Sequence, residues 1–327
     1  MYNSLKENTV KGTLYSSVLG GGTATAEWEL LTGNSSAFLP TGAIPYIVYV
    51  RGNKETMVSN FRLNGYETLG MHSYYGKCYN RRTSYSRMGF DKGIFMDDMK
   101  GIWFSKSNHP SDQSSYEKLI ESYEARDKSK NFFGFLLTMQ SHAPYTFENY
   151  NNKGYVKDNS RLDQYLSLVK DADDALKYLV EYYSSVDEKT IIVLFGDHQP
   201  KIASELTQDE WLKTQKVPYM LWANFDIEEK NGEDISTNYL STLIYEYSGM
   251  ETTNYVEFLK DFIISLVDFQ ELVMRLQLAK EELVERTIEL MSKENVIVVY
   301  DRGTIDNTAY INKDEFEEIL TRLNNVK

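Results

Sequence analysis

The chain has 327 residues, of which 42% are hydrophobic, and a formal net charge of −13 at pH 7. A chain of this kind can bury one large core or two modest ones, and its acidity excludes the electrostatic footprint of a general nucleic-acid-binding protein. Its single cysteine, Cys78, excludes an intrachain disulfide and a cysteine-rich zinc site. No window approaches about 20 consecutive apolar residues, and the first residues lack the apolar core of a signal peptide.

A run of three glycines, Gly20 to Gly22, leads directly into Thr23 and a stretch with the apolar spacing of a helix. Glycine allows positive φ, and a hydroxyl where a loop enters a helix lies near free N–H groups that favour an anion. These are the requirements of a nucleophile that attacks or carries a phosphoryl or sulfuryl group. A flexible loop with an ordinary Ser/Thr helix cap explains this stretch alone at least as well.

Continuous apolar runs, each followed by polar residues, predict buried parallel strands. One strand ends at His72, a second run is followed by His142, and a third by Asp197 and His198. Strands that alternate with helices favour an α/β fold with an open sheet, whose site lies outside the carboxyl ends of the strands. The predicted elements are a short strand at 13–15, strands at 132–139 and 190–195, and a helix at 162–183, while 44–50 fits a helix or a strand.

Asp197 and His198 are the clearest candidates for metal ligands, because carboxylate and imidazole groups bind divalent cations. Without a thiolate cluster, Mn²⁺, Mg²⁺ and Zn²⁺ are the candidate ions. Thr23 would complete such a site, since a metal lowers the pKa of a bound hydroxyl. The alternative is a simple hydrogen bond between the Asp197 and His198 side chains in a turn.

His72, His142 and Arg81 carry groups that suit a transferred phosphoryl group. Three of the four histidines follow strand-like runs, so we expect a shared site at one edge of the sheet. The two histidines would bind the transferred group or protonate its leaving oxygen, and Arg81 offers a planar fork for phosphate oxygens. Taken singly, a histidine is more often structural and an arginine more often a surface residue.

Taken together, these segments resemble the lipoteichoic acid synthase family, whose members are phosphoglycerol transferases with a sulfatase-like, alkaline-phosphatase-type fold. Residues 21–33 resemble the nucleophile motif of that family, Gly-Gly-Thr-x-x-x-Glu-aromatic-Glu-x-Leu-Thr-Gly. The resemblance extends in order over about 1–262. Its other segments are 72–74 with 79–81, 89–91, 141–145, 195–200, 217–224 and 236–240.

The resemblance implies an α/β/α sandwich around a mostly parallel central sheet for 1–262. It implies that Thr23 is a metal-bound nucleophile that forms a phospho-threonine intermediate. Asp197 and His198 would be metal ligands, and Mn²⁺ would be the favoured ion, with Mg²⁺ or Zn²⁺ as alternatives.

The resemblance also implies a set of substrate-binding residues. His72, Tyr79, Arg81 and His142 would bind the phosphoglycerol group, and His142 would also act in catalysis. Tyr79 stands where the family usually has tryptophan, and Ser73 where it usually has proline. We therefore expect altered substrate contacts and an unchanged reaction type.

Two departures from the family affect the expected activity. Members begin the domain with an apolar strand that ends in a metal-ligating glutamate, preceded by membrane-spanning helices, and this sequence starts after that strand. Glu27 and Glu29 lie on the helix after Thr23 and are not assigned as replacements. We expect a sheet without one central strand, a metal site without one anionic ligand, and an impaired enzyme.

Cys78 is not a formylglycine precursor, because Asn80 stands where the motif Cys-x-Pro-x-Arg has proline. Sulfatase chemistry that depends on formylglycine is therefore excluded.

The composition shifts near residue 263. A charged amphipathic helix at 264–292, a β-branched strand at 296–300 and Asp301-Arg302-Gly303 resemble the middle of a P-loop ATPase or nucleotide-kinase-like domain. The phosphate loop Gly-x₄-Gly-Lys-Ser/Thr does not occur in the chain. We therefore expect 263–327 to form a helix, one strand and a helix that do not bind nucleotide alone.

The resemblance thus implies a metal-dependent phosphoglycerol transferase, which in the family acts at the extracellular face of the bacterial cell membrane. Its substrates would be a phospholipid headgroup or a glycerol-phosphate polymer, and the membrane helices of the family would provide the contact with the bilayer. The alternatives are a hydrolase of the same fold, either a phosphodiesterase or a sulfatase, and a catalytically inactive fragment.

Overall fold

The computed structural model describes residues 1–40, 42–105, 109–146, 152–157, 159–200, 215–228, 232, 234–260, 297–300 and 308–311. The chain divides into two compact units, Met1–Leu259 and Lys260–Lys327. Within the described residues, no helix has the length and apolar character needed to cross a bilayer.

The first unit alternates strands and helices, as an α/β fold requires. Its strands are β1 (Thr9–Tyr15), β2 (Glu67–His72), β3 (Lys92–Phe95), β4 (Phe132–Leu137), β5 (Ile191–Phe195), β6 (Lys216–Ala223) and β7 (Ile235–Ser236). Its α-helices are α1 (Thr23–Thr32), α2 (Pro45–Val48), α3 (Met57–Leu63), α4 (Arg81–Met88), α5 (Asp112–Glu124), α6 (Ser160–Ser184) and α7 (Leu240–Ser248). Short 3₁₀ turns lie at Ser36–Phe38, Cys78–Asn80, Met96–Asp98 and Thr237–Tyr239.

The strands form two separate sheets. One sheet has the order β3-β2-β4 and is wholly parallel. The other has the order β5-β6-β1-β7, in which β6 runs antiparallel to both of its neighbours. The α/β class is confirmed; where we expected one mostly parallel sheet, the described strands form one parallel sheet and one mixed sheet, because β4 and β5 do not pair with each other.

Two apolar cores lie on opposite faces of these strands. The first core contains Phe135 of β4 with side chains of α1, α3, α4 and α7, and Phe133, Val193 and Phe195 pack against it. The second core contains side chains of α5 and α6, and alternate residues of the same two strands pack against it: Phe132, Leu136, Ile192 and Leu194. Because side chains alternate between the faces of a strand, β4 and β5 present matching faces to the same two helical layers.

The segment at 44–50, left open by its sequence, forms the helix α2, with Pro45 in the first turn. Proline suits this position because its missing N–H would have no helical partner.

In the second unit, the structure describes two strands, β8 (Ile297–Tyr300) and β9 (Thr308–Ile311), which pair antiparallel. We expected a single strand here, so β9 is a correction. Thr308, Tyr310 and Ile311 are β-branched or aromatic residues, which favour a strand. The predicted helix at 264–292 lies outside the described residues.

Candidate active site

The glycine run brings Thr23 to the start of α1 in a fixed position. Gly20, Gly21 and Gly22 all have positive φ, and Gly22 takes the N-cap position in the left-handed region. A Cβ on Gly22 would lie 2.9 Å from Val18 Cγ1, so this turn requires glycine for both its conformation and its close approach. Thr23 is therefore the first residue of the helix and not its cap, and the N-cap alternative for its hydroxyl is wrong.

The Thr23 hydroxyl contacts two residues in the loop after β5, Asp197 and His198. Thr23 Oγ1 donates a hydrogen bond of 2.6 Å to Asp197 Oδ2 and lies 3.4 Å from His198 Nε2. His198 Nε2 lies 3.2 Å from the same Asp197 oxygen. Ser16 Oγ donates to the Asp197 carbonyl, and Gly20 N donates to the Gln199 carbonyl, so the two loops are tied together.

These three side chains form a donor set that fits a divalent cation. The protein ligands of a four-coordinate cation lie about 3.3 Å apart, given bond lengths of about 2.0–2.1 Å. Asp197 Oδ2, His198 Nε2 and Thr23 Oγ1 are separated by 2.6, 3.2 and 3.4 Å. His198 Nδ1 lies 2.9 Å from the Gln199 carbonyl, which can only accept, so the lone pair is on Nε2. In the described part of the chain, no group of three His, Cys, Asp or Glu residues is placed to hold a metal ion, and the third atom of this cluster is the hydroxyl oxygen of Thr23.

His72, the last residue of β2, is buried next to this site. Its side chain is 3% exposed, and its Nδ1 lies 3.2 Å from the Leu137 carbonyl. Burial, together with the charge of Arg81, lowers the pKa of His72 to about 4. The side chain is therefore neutral at physiological pH, and it can accept a hydrogen bond at Nε2 or donate one at Nδ1.

The buried neutral His72 makes a testable prediction about stability. The unfolded chain takes up a proton at this position below a pKa of 6.5, whereas the folded chain does so only near pH 4. The free energy of unfolding is thus expected to fall as the pH is lowered from about 6.5 to about 4, by a contribution on the order of 3 kcal/mol. Asp112, whose pKa burial raises to about 6, acts in the opposite direction.

Chemical denaturation of the wild type and of a His72→Gln variant across pH 4 to 7 tests this prediction, because the Asp112 contribution is common to both proteins and cancels in the difference. The stability difference between them should narrow or reverse toward pH 4. A difference that stays constant across this range would contradict the buried, neutral state of His72.

Arg81 is held in a buried ion pair with Glu27. Arg81 Nη2 lies 2.6 Å from Glu27 Oε1, and the two side chains are 3% and 1% exposed. Tyr85 donates a hydrogen bond of 2.7 Å to Glu27 Oε2, and Tyr46 donates one of 3.3 Å. Burial opposes the charged form, but the Glu27 carboxylate raises the pKa of Arg81 above its usual value. Arg81 therefore borders the site as a fixed cation. The Nε and Nη2 side of its guanidinium group is already bonded to Glu27.

Tyr79 and His142 lie on more exposed segments. Tyr79 has φ 53° and is 39% exposed, and its ring lies 5.1 Å from the Arg81 guanidinium carbon. His142 is exposed and places Nδ1 2.6 Å from the Ala143 carbonyl. Its ring centroid lies 5.7 Å from that of His109, and the His109 ring lies 6.4 Å from that of Tyr74.

Most of the predicted site residues border one cavity of about 2000 Å³ in the first unit. Those that line it are Thr23, His72, Arg81, His142, Asp197 and His198, and Tyr79 is absent from the lining. Sequence reasoning missed Glu27, Tyr74 and His109, which also line the cavity. Glu27 lies four positions after Thr23, so the two side chains lie on one face of α1. This i, i+4 spacing is the sequence pattern that could have identified Glu27 as a site residue.

Comparisons with known proteins support this picture of the fold. A family model described as Sulfatase matches residues 2–250. A putative cyclic beta-1,2-glucan modification protein of Rhizobium meliloti (strain 1021) is 33% identical over 271 residues, which are 76% of this chain and 42% of that protein. A capsular polysaccharide biosynthesis protein, RkpI, of the same organism is 23% identical over 203 residues, 61% of this chain and 37% of its own length. The chain thus spans less than half of these relatives.

Two solved structures share the fold. The Streptococcus pyogenes phosphoglycerol transferase GacH, in complex with sn-glycerol-1-phosphate, matches with a TM-score of 0.68 at 22% identity, over 80% of this chain and 69% of that one. The lipoteichoic acid synthase LtaP of Listeria monocytogenes matches with a TM-score of 0.63 at 19% identity, over 75% of this chain and 64% of that one. The family match ends at residue 250, and nothing in these comparisons supports the P-loop resemblance of 263–327.

Proposed function

Because the chain belongs to the sulfatase family, we propose that it is a phosphotransferase domain, which moves a phosphoglycerol or related phospho-headgroup through a covalent intermediate on Thr23. The observation that carries this proposal is the convergence of Thr23 Oγ1 on Asp197 Oδ2 at 2.6 Å and on His198 Nε2 at 3.4 Å. Alkaline-phosphatase-type folds generally act with divalent metals, and Asp197 and His198 are the residues that would hold one here. Mn²⁺ is the ion we favour.

Thr23 is the proposed nucleophile. A bound cation would supply positive charge that favours ionisation of the Thr23 hydroxyl and offsets the charge of the phosphoryl group. Asp197 accepts the Thr23 proton in the hydrogen bond that the structure contains. The N-terminus of α1 has no side-chain cap, so its free N–H groups favour an anion beside Thr23.

The reaction proceeds by two displacements. The Thr23 oxygen bonds to phosphorus as the bond from phosphorus to the diacylglycerol oxygen breaks, and His142 gives that oxygen its proton. A hydroxyl of the acceptor then attacks phosphorus and passes its proton to His142 as the bond from phosphorus to Thr23 breaks. The Thr23 oxygen takes its proton back from Asp197. Neutral His72, whose Nδ1–H is directed at the Leu137 carbonyl, contacts the transferred group as a hydrogen-bond acceptor at Nε2 and does not repel Arg81, whose charge balances that of the group.

The donor in this proposal is a phospholipid headgroup at the extracellular face of a bacterial membrane, and the acceptor is a glycerol-phosphate polymer or a glycan. The glycan acceptor is suggested by the two Rhizobium meliloti relatives, a cyclic beta-1,2-glucan modification protein and a capsular polysaccharide biosynthesis protein. A hydrolase would use the same nucleophile with water as the acceptor.

One experiment separates the two reactions. A fluorescent phosphatidylglycerol analogue is incubated with Mn²⁺ and the protein, with and without a candidate acceptor glycan. Diacylglycerol together with a glycerol-phosphate adduct or polymer indicates a transferase, whereas diacylglycerol with only free glycerol phosphate indicates a hydrolase. Absence of metal-dependent turnover would favour the inactive-fragment alternative.

Metal binding is predicted to depend on Asp197. Isothermal titration with Mn²⁺ should show one site in the wild type, and Asp197→Asn should weaken its affinity at least about tenfold, because an anionic ligand is lost. Asp174→Asn is the matched control, since the Asp174 side chain is 62% exposed and pairs with Lys170. Equal affinity in the wild type and Asp197→Asn would contradict the assignment of this ligand.

A further inference from the structure

The segment before α5 forms part of the border of the candidate active site. His109 lines the cavity, and its ring centroid lies 5.7 Å from that of His142. An isolated antiparallel bridge between Phe104 and Pro110 fixes this segment, and Ser105 N donates a hydrogen bond of 2.7 Å to the His109 carbonyl. The residues on the other arm of the bridge are therefore held beside the cavity.

Trp103, on that other arm, combines a fixed backbone with an exposed ring. Its N–H donates a hydrogen bond of 2.9 Å to Ser114 Oγ, and its carbonyl accepts one of 2.9 Å from Ser111 N. Both partners belong to the start of α5, where Ser111 is the N-cap. Trp103 is nevertheless 74% exposed. An indole that is held in water on an anchored backbone keeps a large apolar face available to a ligand.

The backbone pairing places Trp103 and His109 on the same face of the bridge. Successive side chains along a strand alternate between its faces, and residues directly opposite each other share one face. Phe104 and Pro110 are opposite each other, so their side chains share a face. Trp103, Ser105 and His109 lie on the other face. On that face Trp103 and His109 are diagonal neighbours, for which a separation of about 7–8 Å is typical.

This face combines an aromatic ring with polar groups. Ser105 supplies a hydroxyl, and His109 supplies an imidazole. Burial, together with the charge of His142, lowers the pKa of His109, so its ring is neutral near pH 7 and has one N–H donor and one acceptor nitrogen. A flat apolar surface with a few hydrogen-bonding groups at its edge suits a sugar, whose ring has an apolar C–H face and hydroxyls that both donate and accept.

A bilayer surface suits these residues less well. The neighbouring aromatic residue, Phe104, lies on the opposite face and does not extend the apolar surface of Trp103. The charged residues within 96–105 are Asp97, Asp98 and Lys100, which is two acids and one base and a net charge of −1. Segments that bind anionic membranes carry clusters of Lys and Arg instead. The surroundings of Trp103 therefore favour a neutral, hydroxyl-rich ligand.

We propose that Trp103 is the stacking platform of an acceptor subsite for a neutral glycan. One sugar lies against the indole, its hydroxyls contact Ser105 and His109, and the glycan continues into the cavity beside His142. The proposal rests on the proposed function for the role of the glycan as the acceptor, whereas binding of the glycan requires neither a donor nor a metal.

Titration of the full chain with a neutral β-1,2-linked glucan oligosaccharide, followed by NMR at the indole N–H signals, tests this subsite. The linkage is that of the glucan in the name of one relative. The Trp103 signal, assigned by its loss in Trp103→Phe, should shift on titration. The signals of Trp28 and Trp222, which are 8% and 6% exposed, are internal controls and should not shift. A Trp103 signal that the glucan leaves unchanged would overturn the proposal.

Two further probes distinguish a glycan from the other ligands of such a site. One is sn-glycerol-1-phosphate, which represents the transferred group, and the other is vesicles of phosphatidylglycerol, which represent a bilayer. Neither should shift or broaden the Trp103 signal at concentrations at which the glucan effect is complete. An equal effect of either probe would overturn the glycan assignment.

Variants of the two neighbouring aromatic residues provide a matched comparison. Trp103→Leu removes the stacking face and should weaken glucan binding at least about tenfold, whereas Trp103→Phe keeps an aromatic face and should bind within a few-fold of the wild type. Phe104→Leu is the matched control, because Phe104 is 58% exposed on the opposite face, and it should bind within about twofold. Unchanged Trp28 and Trp222 signals identify a folded variant. Equal losses of affinity in the two leucine variants would contradict a specific platform at Trp103.

These binding measurements separate the subsite from the proposed reaction. Diacylglycerol release by a protein that does not bind the glucan would overturn the subsite and leave the proposed function in place. Trp103-dependent glucan binding without any turnover would support the subsite and contradict the proposed function.

Discussion

Replacing Thr23 by alanine is expected to reduce the turnover of a phosphatidylglycerol analogue at least about a thousand-fold, because the nucleophile of the covalent step is removed. Thr23→Ser keeps the hydroxyl and should retain activity within about tenfold. The measurement is the rate of diacylglycerol release at saturating Mn²⁺. Unchanged turnover in Thr23→Ala would show that Thr23 is not the nucleophile.

The structure offers a matched control for this substitution at the other end of the same helix. Thr32 Oγ1 donates a hydrogen bond of 2.6 Å to the Trp28 carbonyl and contacts no predicted site residue. Thr32→Ala should leave turnover within about twofold of the wild type, with a stability change within about 1 kcal/mol. Comparable losses of activity in Thr23→Ala and Thr32→Ala would indicate a structural defect in α1 and not the loss of a nucleophile.

The Arg81→Met variant is expected to lose about 3–5 kcal/mol of unfolding free energy, because it leaves Glu27 buried without its cation. The two side chains are 3% and 1% exposed, so water cannot replace the lost partner. Arg82→Met is the matched control, since Arg82 pairs with Asp97 and Asp98 while 47% exposed. An exposed pair of this kind contributes about 0–1 kcal/mol, and urea denaturation measures both variants.

A double variant separates the buried charge from the lost packing. Glu27→Leu combined with Arg81→Met removes both charges and should be more stable than Arg81→Met alone, although the Tyr46 and Tyr85 hydroxyls then lose their acceptor. A loss below about 1 kcal/mol in Arg81→Met would contradict the buried ion pair.

The sequence was sufficient to predict the α/β class and most of the candidate site. Continuous apolar runs identified β4 and β5, and the polar residues after them identified Asp197 and His198. The glycine run identified Thr23, since its three positive φ values are conformations that only glycine adopts readily. The roles of these residues remain proposals.

Other features depend on tertiary contacts that local patterns do not encode. No local pattern pairs Glu27 with Arg81, because the two are 54 residues apart and meet only when α1 packs beside α4. His109 follows no apolar run, so periodicity did not mark it. Its segment is positioned by an isolated β-bridge between Phe104 and Pro110, and its ring lies next to that of His142. The absence of pairing between β4 and β5 could not be predicted either, because hydrophobic periodicity identifies a strand but not the strands that it pairs with.

The central claim, that Thr23 carries the transferred group, is tested most directly by trapping the intermediate. The protein is mixed with the phosphatidylglycerol analogue and Mn²⁺, quenched in acid, digested, and examined by tandem mass spectrometry. We predict that the peptide containing Thr23 gains the mass of one glycerophosphoryl group on that residue, and that the Thr23→Ala protein gains none. A modification on another residue, or none in a wild-type sample that releases diacylglycerol, would contradict the claim.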